Sequence, residues 1–206
     1  NIDINKFEEA LAENDSKKLR GAIITFVAGQ APDLDRIYDI AKRYGIILIE
    51  DCRSSLGGTY KGNKIGNLRA DMTIFSTNPS NSKYAISRSG IIVTNNEDIA
   101  NRAKLLRTHA LTTTYDSYGN LDYVYDVVDI GHKYDLSELD AAYALAQLNK
   151  TQKFIKRRKE IAKLYEKRLT GVKHITIPSH NDEHIFTHFI IKVSRNRDAF
   201  ARALKE

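Results

Sequence analysis

The chain has 206 residues, of which 42% are hydrophobic and 28% charged, and a net charge of +6, enough for one sizeable core or two modest ones. No apolar run approaches the roughly 20 residues that cross a bilayer, the single cysteine, Cys52, excludes an internal disulfide, and no signal-peptide pattern opens the chain. The expectation is a cytoplasmic protein with no membrane span, whose first residues, Asn1-Ile2-Asp3-Ile4, look like the middle of a domain. The positive surplus is scattered along helices, with one cluster at Lys153, Lys156, Arg157, Arg158 and Lys159. Such a surplus reads as a solvated surface that would also favour an anionic substrate or a phosphate. Neither a nucleic-acid partner nor a metal is expected.

In chain order, residues 5–12 carry Phe7 and Leu11 at a helical spacing, and residues 22–27 read as a buried strand. Pro32 precedes a helix over 33–44 with Leu34, Ile37, Ile40, Ala41 and Tyr44 on one face. Its length suits a right-handed crossover to a parallel strand at 46–50. The run Ile46-Ile47-Leu48-Ile49 has no polar alternation, so this strand is expected to be buried on both faces. It ends in Glu50-Asp51 and a turn, Ser54-Ser55-Leu56-Gly57-Gly58. Ligands of open α/β sheets bind at carboxyl strand ends, so Asp51 stands where a carboxylate meets a cofactor; as a mere cap of the next segment it would have no such role.

Residues 72–76 and 90–94 read as two further strands joined by a polar loop, 77–89, either a site or a surface excursion. Asn96 offers a cap to a helix reaching Arg107, with Ile99, Ala100, Ala103 and Leu106 inward. Residues 112–126, with Tyr115, Tyr118, Tyr123 and Tyr125, read as a loop lying on a partner or over a cleft. Ser137-Glu138-Leu139-Asp140 resembles a capping box for a helix reaching Leu148, and an amphipathic helix spans 151–169, ended by Gly171. A strand over 186–193 and a helix over 198–205 open a second, smaller domain, giving a division into residues 1–150 and 151–206.

The order of motifs resembles the sugar aminotransferases of the DegT/StrS type, pyridoxal-phosphate enzymes of the aspartate-aminotransferase fold. The stretches that carry the likeness include Ala28-Gly29-Gln30-Ala31-Pro32-Asp33, Ile49-Glu50-Asp51, Leu56-Gly57 with Tyr60-Lys61-Gly62, and Ile74-Phe75-Ser76. They continue through Gly90-Ile91-Ile92-Val93-Thr94-Asn95, Leu105-Leu106-Arg107-Thr108-His109, Gly131-His132-Lys133-Tyr134-Asp135, Arg157-Arg158-Lys159-Glu160 and His188. Each is weak alone; their shared order over nearly the whole chain is specific.

The resemblance implies an α/β fold, part of the large, mostly parallel domain of that enzyme class plus the start of a smaller α+β domain. It implies pyridoxal 5'-phosphate as cofactor, a homodimer, and transfer of an amino group, typically from glutamate, to a keto group of a nucleotide-linked deoxysugar for surface polysaccharide or other glycans. Asp51 would pair with the ring nitrogen, Ser76 would bind the phosphate, Ser54 would lie near the ring, and Lys133 would reach the phosphate of the neighbouring subunit's cofactor. The family's covalent lysine lies five residues after the serine, where this chain has Asn81; Lys83 fits if the loop has gained two residues and is otherwise a solvated loop lysine. Further departures are Ser54 where His or Gln is usual, Arg88-Ser89-Gly90 for Glu-Gly-Gly, and His132 and Asp135. Relatives also carry a phosphate-cradling segment before the position of Asn1 and most of a small domain after Glu206. The alternative is a non-catalytic member that keeps the fold and dimer surface. A dehydratase variant, which replaces the lysine by histidine, is set aside because residues 77–89 contain no His.

Overall fold

The computed structural model describes residues 1–14, 18–77, 89–115 and 121–205. Helix α1, Ile4–Glu13, starts where the Asp3 carboxylate accepts the amides of Asn5 and Lys6 at 3.0 and 3.2 Å, satisfying two donors a helix start leaves open. Its buried Phe7 and Leu11, four residues apart, face the core. Strand β1, Gly21–Thr25, runs through a single 3-10 turn, Val27–Gly29, into α2, Leu34–Tyr44. Gly45 ends α2 in the left-handed region at φ 63°, its amide turning back to the carbonyls of Ala41 and Lys42. Strand β2, Ile47–Asp51, follows, then a small hairpin of β3, Thr59–Tyr60, and β4, Asn63–Lys64.

Strands β5, Met72–Ser76, and β6, Gly90–Val93, complete a four-stranded sheet in the order β1-β2-β5-β6. The first three strands are parallel and β6 is antiparallel at the edge. The register places Ile23 beside Ile49, Ile49 beside Met72, and Asp51 beside both Thr25 and Ile74. Because successive side chains alternate, Ile24, Leu48, Glu50, Thr73 and Phe75 share the other face. That face is buried against Phe7, Leu11, Leu34, Ile37, Ile40 and Ala41.

Helix α3, Glu97–Arg107, is capped by Asn96, whose side chain accepts the Ile99 amide at 3.1 Å. Then come β7, Leu111–Tyr115, and β8, Leu121–Val127, followed by α4, Glu138–Leu148, capped by Ser137, and α5, Thr151–Leu169. A two-residue pair, β9, Ile175–Thr176, with β10, Lys192–Val193, precedes α6, Arg197–Ala203. The last third is tied back to the sheet. Glu183 accepts the amides of Lys61 and Gly62, both at 2.8 Å, at the β3–β4 turn. Main-chain bonds join Ile185 to Gly29 and Thr187 to Ala28 at 3.1 Å each.

Three expectations change. Strand β2 is buried throughout only on its Leu48–Glu50 face: on the other, Asp51 is buried and Ile49 half-buried, but Ile47 is 51% exposed and with Ile23 at 66% and Ile92 at 51% forms an open apolar patch, because α1 and α2 both pack on the opposite side. Of residues 112–126, expected to be a loop, 112–115 and 121–126 pair instead as the antiparallel strands β7 and β8, consistent with their Thr, Tyr and Val content. The strand expected over 186–193 shrinks to Lys192–Val193; upstream, Phe186 takes φ 49° and stacks on His184 at 4.1 Å, which breaks the extended run. Among the described residues no helix is long and apolar enough to cross a membrane.

Candidate active site

The site is built at the carboxyl ends of β2 and β5. Strand pairing sets Asp51 beside Ile74, and Ser76 stands two residues further along β5, so the two polar side chains share the open face. Asp51 is fixed from its backbone: its carbonyl accepts the Phe26 amide at 3.0 Å, and the next amide, of Cys52, donates to Ile74 at 2.8 Å.

The Asp51 side chain is 11% exposed, and Arg53 covers it. Arg53 Nε lies 2.8 and 3.1 Å from the two carboxylate oxygens, its Nη2 is 2.8 Å from Oδ2, and its amide donates to Oδ1 at 3.3 Å. Thr25 Oγ1 adds a longer bond of 3.4 Å. Burial raises the carboxyl's pKa, but the hydrogen bonds and charge of Arg53 outweigh it, so Asp51 stays below the usual carboxylate range and is ionised at neutral pH.

Ser54 follows in the turn, half-buried, where the Ser55 amide donates to the Cys52 carbonyl at 2.9 Å. Beneath it lies Gly29, at φ +92°; a Cβ there would sit 2.7 Å from Ile185 Cγ1 and 3.1 Å from the Ser54 carbonyl oxygen. Only glycine allows the 27–29 turn, the Ser54 turn and residue 185 to meet.

Ser76 is 9% exposed and pairs with Gly90 across β5–β6. One residue on, the Thr77 amide and hydroxyl both donate to the Ser89 carbonyl at 2.9 Å. This pair closes the base of the segment that carries Lys83; Lys83 itself lies outside the described residues. Lys133 stands elsewhere, exposed, on a segment paired with Thr108 at the end of α3 and held by bonds from His132 to Leu106 at 2.8 Å and from Tyr134 to Arg107 at 3.0 Å. The structure therefore brings Asp51, Ser54 and Ser76 to one end of the sheet and leaves Lys133 on another element.

Two neighbours of Asp51 have other parts. Glu50 is fully buried on the opposite face, bonded by the Tyr38 hydroxyl and, at 2.9 Å, by Thr73 Oγ1. Cys52 is buried, and burial pushes its thiol pKa up, which makes it inert. Arg53 is the residue that sequence reasoning passed over. Its signal was present: an arginine two residues beyond a strand-end aspartate has the reach to fold back on it.

A cavity of about 270 Å³ opens at another place, lined in part by Asn1, Gln30, His180, His184, Phe186 and His188. Burial lowers the His184 pKa to about 4, so its ring is neutral. No cluster of three metal-binding side chains occurs among the described residues.

An ionised carboxylate and a hydroxyl on one open face, at carboxyl strand ends, form a donor set that fits a ring with a protonated nitrogen and an anionic tail. The chain is 32% identical over 218 residues to an uncharacterized protein of Methanocaldococcus jannaschii, MJ1066, covering all of this chain and 54% of that one. It is similar in structure to the sugar aminotransferase CalS13 from Micromonospora echinospora, with 25% identity, a TM-score of 0.84, and coverage of 100% of this chain and 55% of the other. A putative sugar aminotransferase from Streptococcus pneumoniae, Spr1654 in its PLP form, shares the fold at 23% identity and a TM-score of 0.82, over 99% of this chain and 55% of its own. The chain thus spans about half the length of the relatives it matches. The model of the DegT/DnrJ/EryC1/StrS aminotransferases matches residues 1–206, and the chain belongs to that family.

Proposed function

We propose that this chain is part of a pyridoxal-phosphate-dependent aminotransferase that moves an amino group from glutamate to a keto group of a nucleotide-linked deoxysugar, in the cytoplasm, for surface polysaccharide or other glycans. The observation that carries the reading is the placement of Asp51 and Ser76 on one face at adjacent strand ends. The family match and the likeness to a sugar aminotransferase support it, and the net charge of +6 suits a phosphorylated substrate.

When bound, the cofactor supplies an electron sink for charge developing on the substrate carbon. Asp51, ionised and fixed through its backbone, would hold the proton on the ring nitrogen. Ser76 would donate its hydroxyl to the phosphate, with Ser54 beside the ring. Lys83 would attach to the cofactor and move the proton at the substrate carbon. Lys133, exposed and held by its backbone, would serve a neighbouring subunit in a homodimer. Residues 1–150 then form the part of the large domain that holds these groups, and residues 151–206 open the small one.

Mixing the protein with pyridoxal phosphate, reducing with borohydride and mapping the modified peptide tests this reading. Label confined to Lys83, with visible absorbance lost in Lys83→Ala, supports it; label spread over surface lysines in both proteins refutes it. The engagement of Asp51 by Arg53 favours a second reading, a non-catalytic member that keeps the fold and dimer surface. That reading predicts no specific label at all.

A further inference from the structure

Asp51 already has a cation. Both of its oxygens are taken by the Arg53 fork at 2.8 Å, and Thr25 occupies part of the remaining approach at 3.4 Å. The arrangement is lopsided in its burial: the Asp51 side chain is 11% exposed, whereas the Arg53 side chain is 51% exposed. Arg53 makes no hydrogen bond or ion pair with any other residue among those described; its long stem leaves the carboxylate as its one anchor. A protonated ring nitrogen needs one of the same lone pairs, and two cations facing one carboxylate repel each other at contact distance. The guanidinium, lying at the solvent side, is the group able to leave.

We propose that Arg53 is a displaceable internal counterion of Asp51, which a cationic nitrogen heterocycle must expel to reach the carboxylate. This rests on the cofactor reading above and deepens it, since Arg53 sets which rings bind and how tightly. Without a ligand, Arg53 keeps a mostly buried carboxylate paired. With a ligand, the exchange trades one charge-assisted contact for another. Affinity is reduced by the strength of the Asp51–Arg53 pair, and a ring lacking a basic nitrogen gains nothing from expelling it. Arg53 therefore acts as a specificity-determining residue through Asp51.

The test uses the full chain and two probes without an aldehyde, which cannot label lysines: pyridoxamine 5'-phosphate and its analogue with the ring nitrogen replaced by carbon. Dissociation constants are measured calorimetrically for the unaltered protein and for Arg53→Met, Arg53→Lys and Asp51→Asn, with circular dichroism confirming the fold. Expected is binding of pyridoxamine phosphate about two- to fivefold tighter in Arg53→Met, a smaller gain in Arg53→Lys, which keeps the charge but not the fork, and no gain for the carbon analogue. If Arg53→Met leaves pyridoxamine phosphate unchanged while Asp51→Asn weakens it, the counterion proposal is overturned and the cofactor reading stands. If no variant binds, Arg53→Met included, both fall. Equal gains for the two probes also overturn the proposal, because the ring nitrogen is then not what Arg53 competes with. Should Arg53→Met fail to fold, Arg53→Lys carries the same comparison between probes.

Discussion

The Tyr38 hydroxyl on α2 donates to the Glu50 carboxyl inside the core, one residue from Asp51 but on the opposite face of β2. With Thr73 Oγ1 at 2.9 Å as the other partner, this bond ties the crossover helix to the two central strands. Burial raises the pKa of Glu50, and the bonds from Tyr38 and Thr73 offset only part of it. A carboxyl whose folded pKa is raised binds its proton more tightly in the native state, so its contribution is fully present below the unfolded value of 4.5 and is lost as pH climbs through the folded value. Glu50→Gln keeps a bonding partner and cannot ionise. Its stability relative to the unaltered protein should therefore rise with pH above 4.5 in urea titrations. Glu50→Ala strands both hydroxyls and should cost about 2–4 kcal/mol.

Asp51 has the opposite sign. Its folded pKa is depressed by Arg53, so the stabilisation is present above the unfolded value of 3.8 and is lost as pH falls through the folded value. Arg53→Met should flatten this acid limb. Because Arg53 is half-exposed, the loss at neutral pH should be only about 0.5–1 kcal/mol. Comparing urea midpoints of the two proteins at pH 7 and in acid measures it; parallel curves would show that the pair contributes nothing.

Gly29→Ala should be disproportionately damaging for so small a change. The added methyl meets Ile185 Cγ1 at 2.7 Å, and φ +92° is foreign to alanine. A loss of about 1–3 kcal/mol is expected, accompanied by faster proteolysis near residues 183–190, whose bonds to Ala28 and Gly29 would open. Gly45→Ala, also at positive φ but with nothing within 4 Å of its Cβ position, separates the backbone strain from the clash.

The strip of Tyr125, Val127, Val128 and Ile130 leaves each residue more than half exposed, Ile130 as much as 85%. Exposed apolar side chains of this size suit a subunit contact. Sedimentation should show a dimer, and Ile130→Asp together with Tyr125→Asp should weaken it at least tenfold, a change of about 1.4 kcal/mol. A monomer at all concentrations, or a dimer indifferent to both changes, would place the contact elsewhere.

The helices were legible because their ends are written locally: Asn96 and Ser137 cap α3 and α4, and Gly45 closes α2. The sheet order was partly legible, since a helix between two branched runs forces a parallel crossover. Its one-sided burial was not. Ile46 to Ile49 are equally apolar, and only the packing of α1 and α2 on the Leu48 face decides that Ile47 stays open. Similarly, the composition of 112–126 suits an interface in either state, and alternation was hidden among tyrosines that suit loops and strands alike. At the site, Asp51 stood out because strand ends are where ligands bind, whereas Ser76 was singled out only through the resemblance to the family. Arg53 was harder to see, since a turn residue's partner depends on where its side chain folds rather than on any period in the sequence.

The clasp of Glu183 on the amides of Lys61 and Gly62 joins groups 122 and 121 residues apart. Contacts of such long reach must wait for both ends, and during synthesis at roughly 5–20 residues per second the hairpin amides emerge on the order of ten seconds before their carboxylate. The β3–β4 turn is therefore solvated while the sheet around it is already assembling. Its locking marks a late event in folding, when the trailing third of the chain closes over the carboxyl end of the sheet and the turn that carries Arg53 acquires its final neighbours.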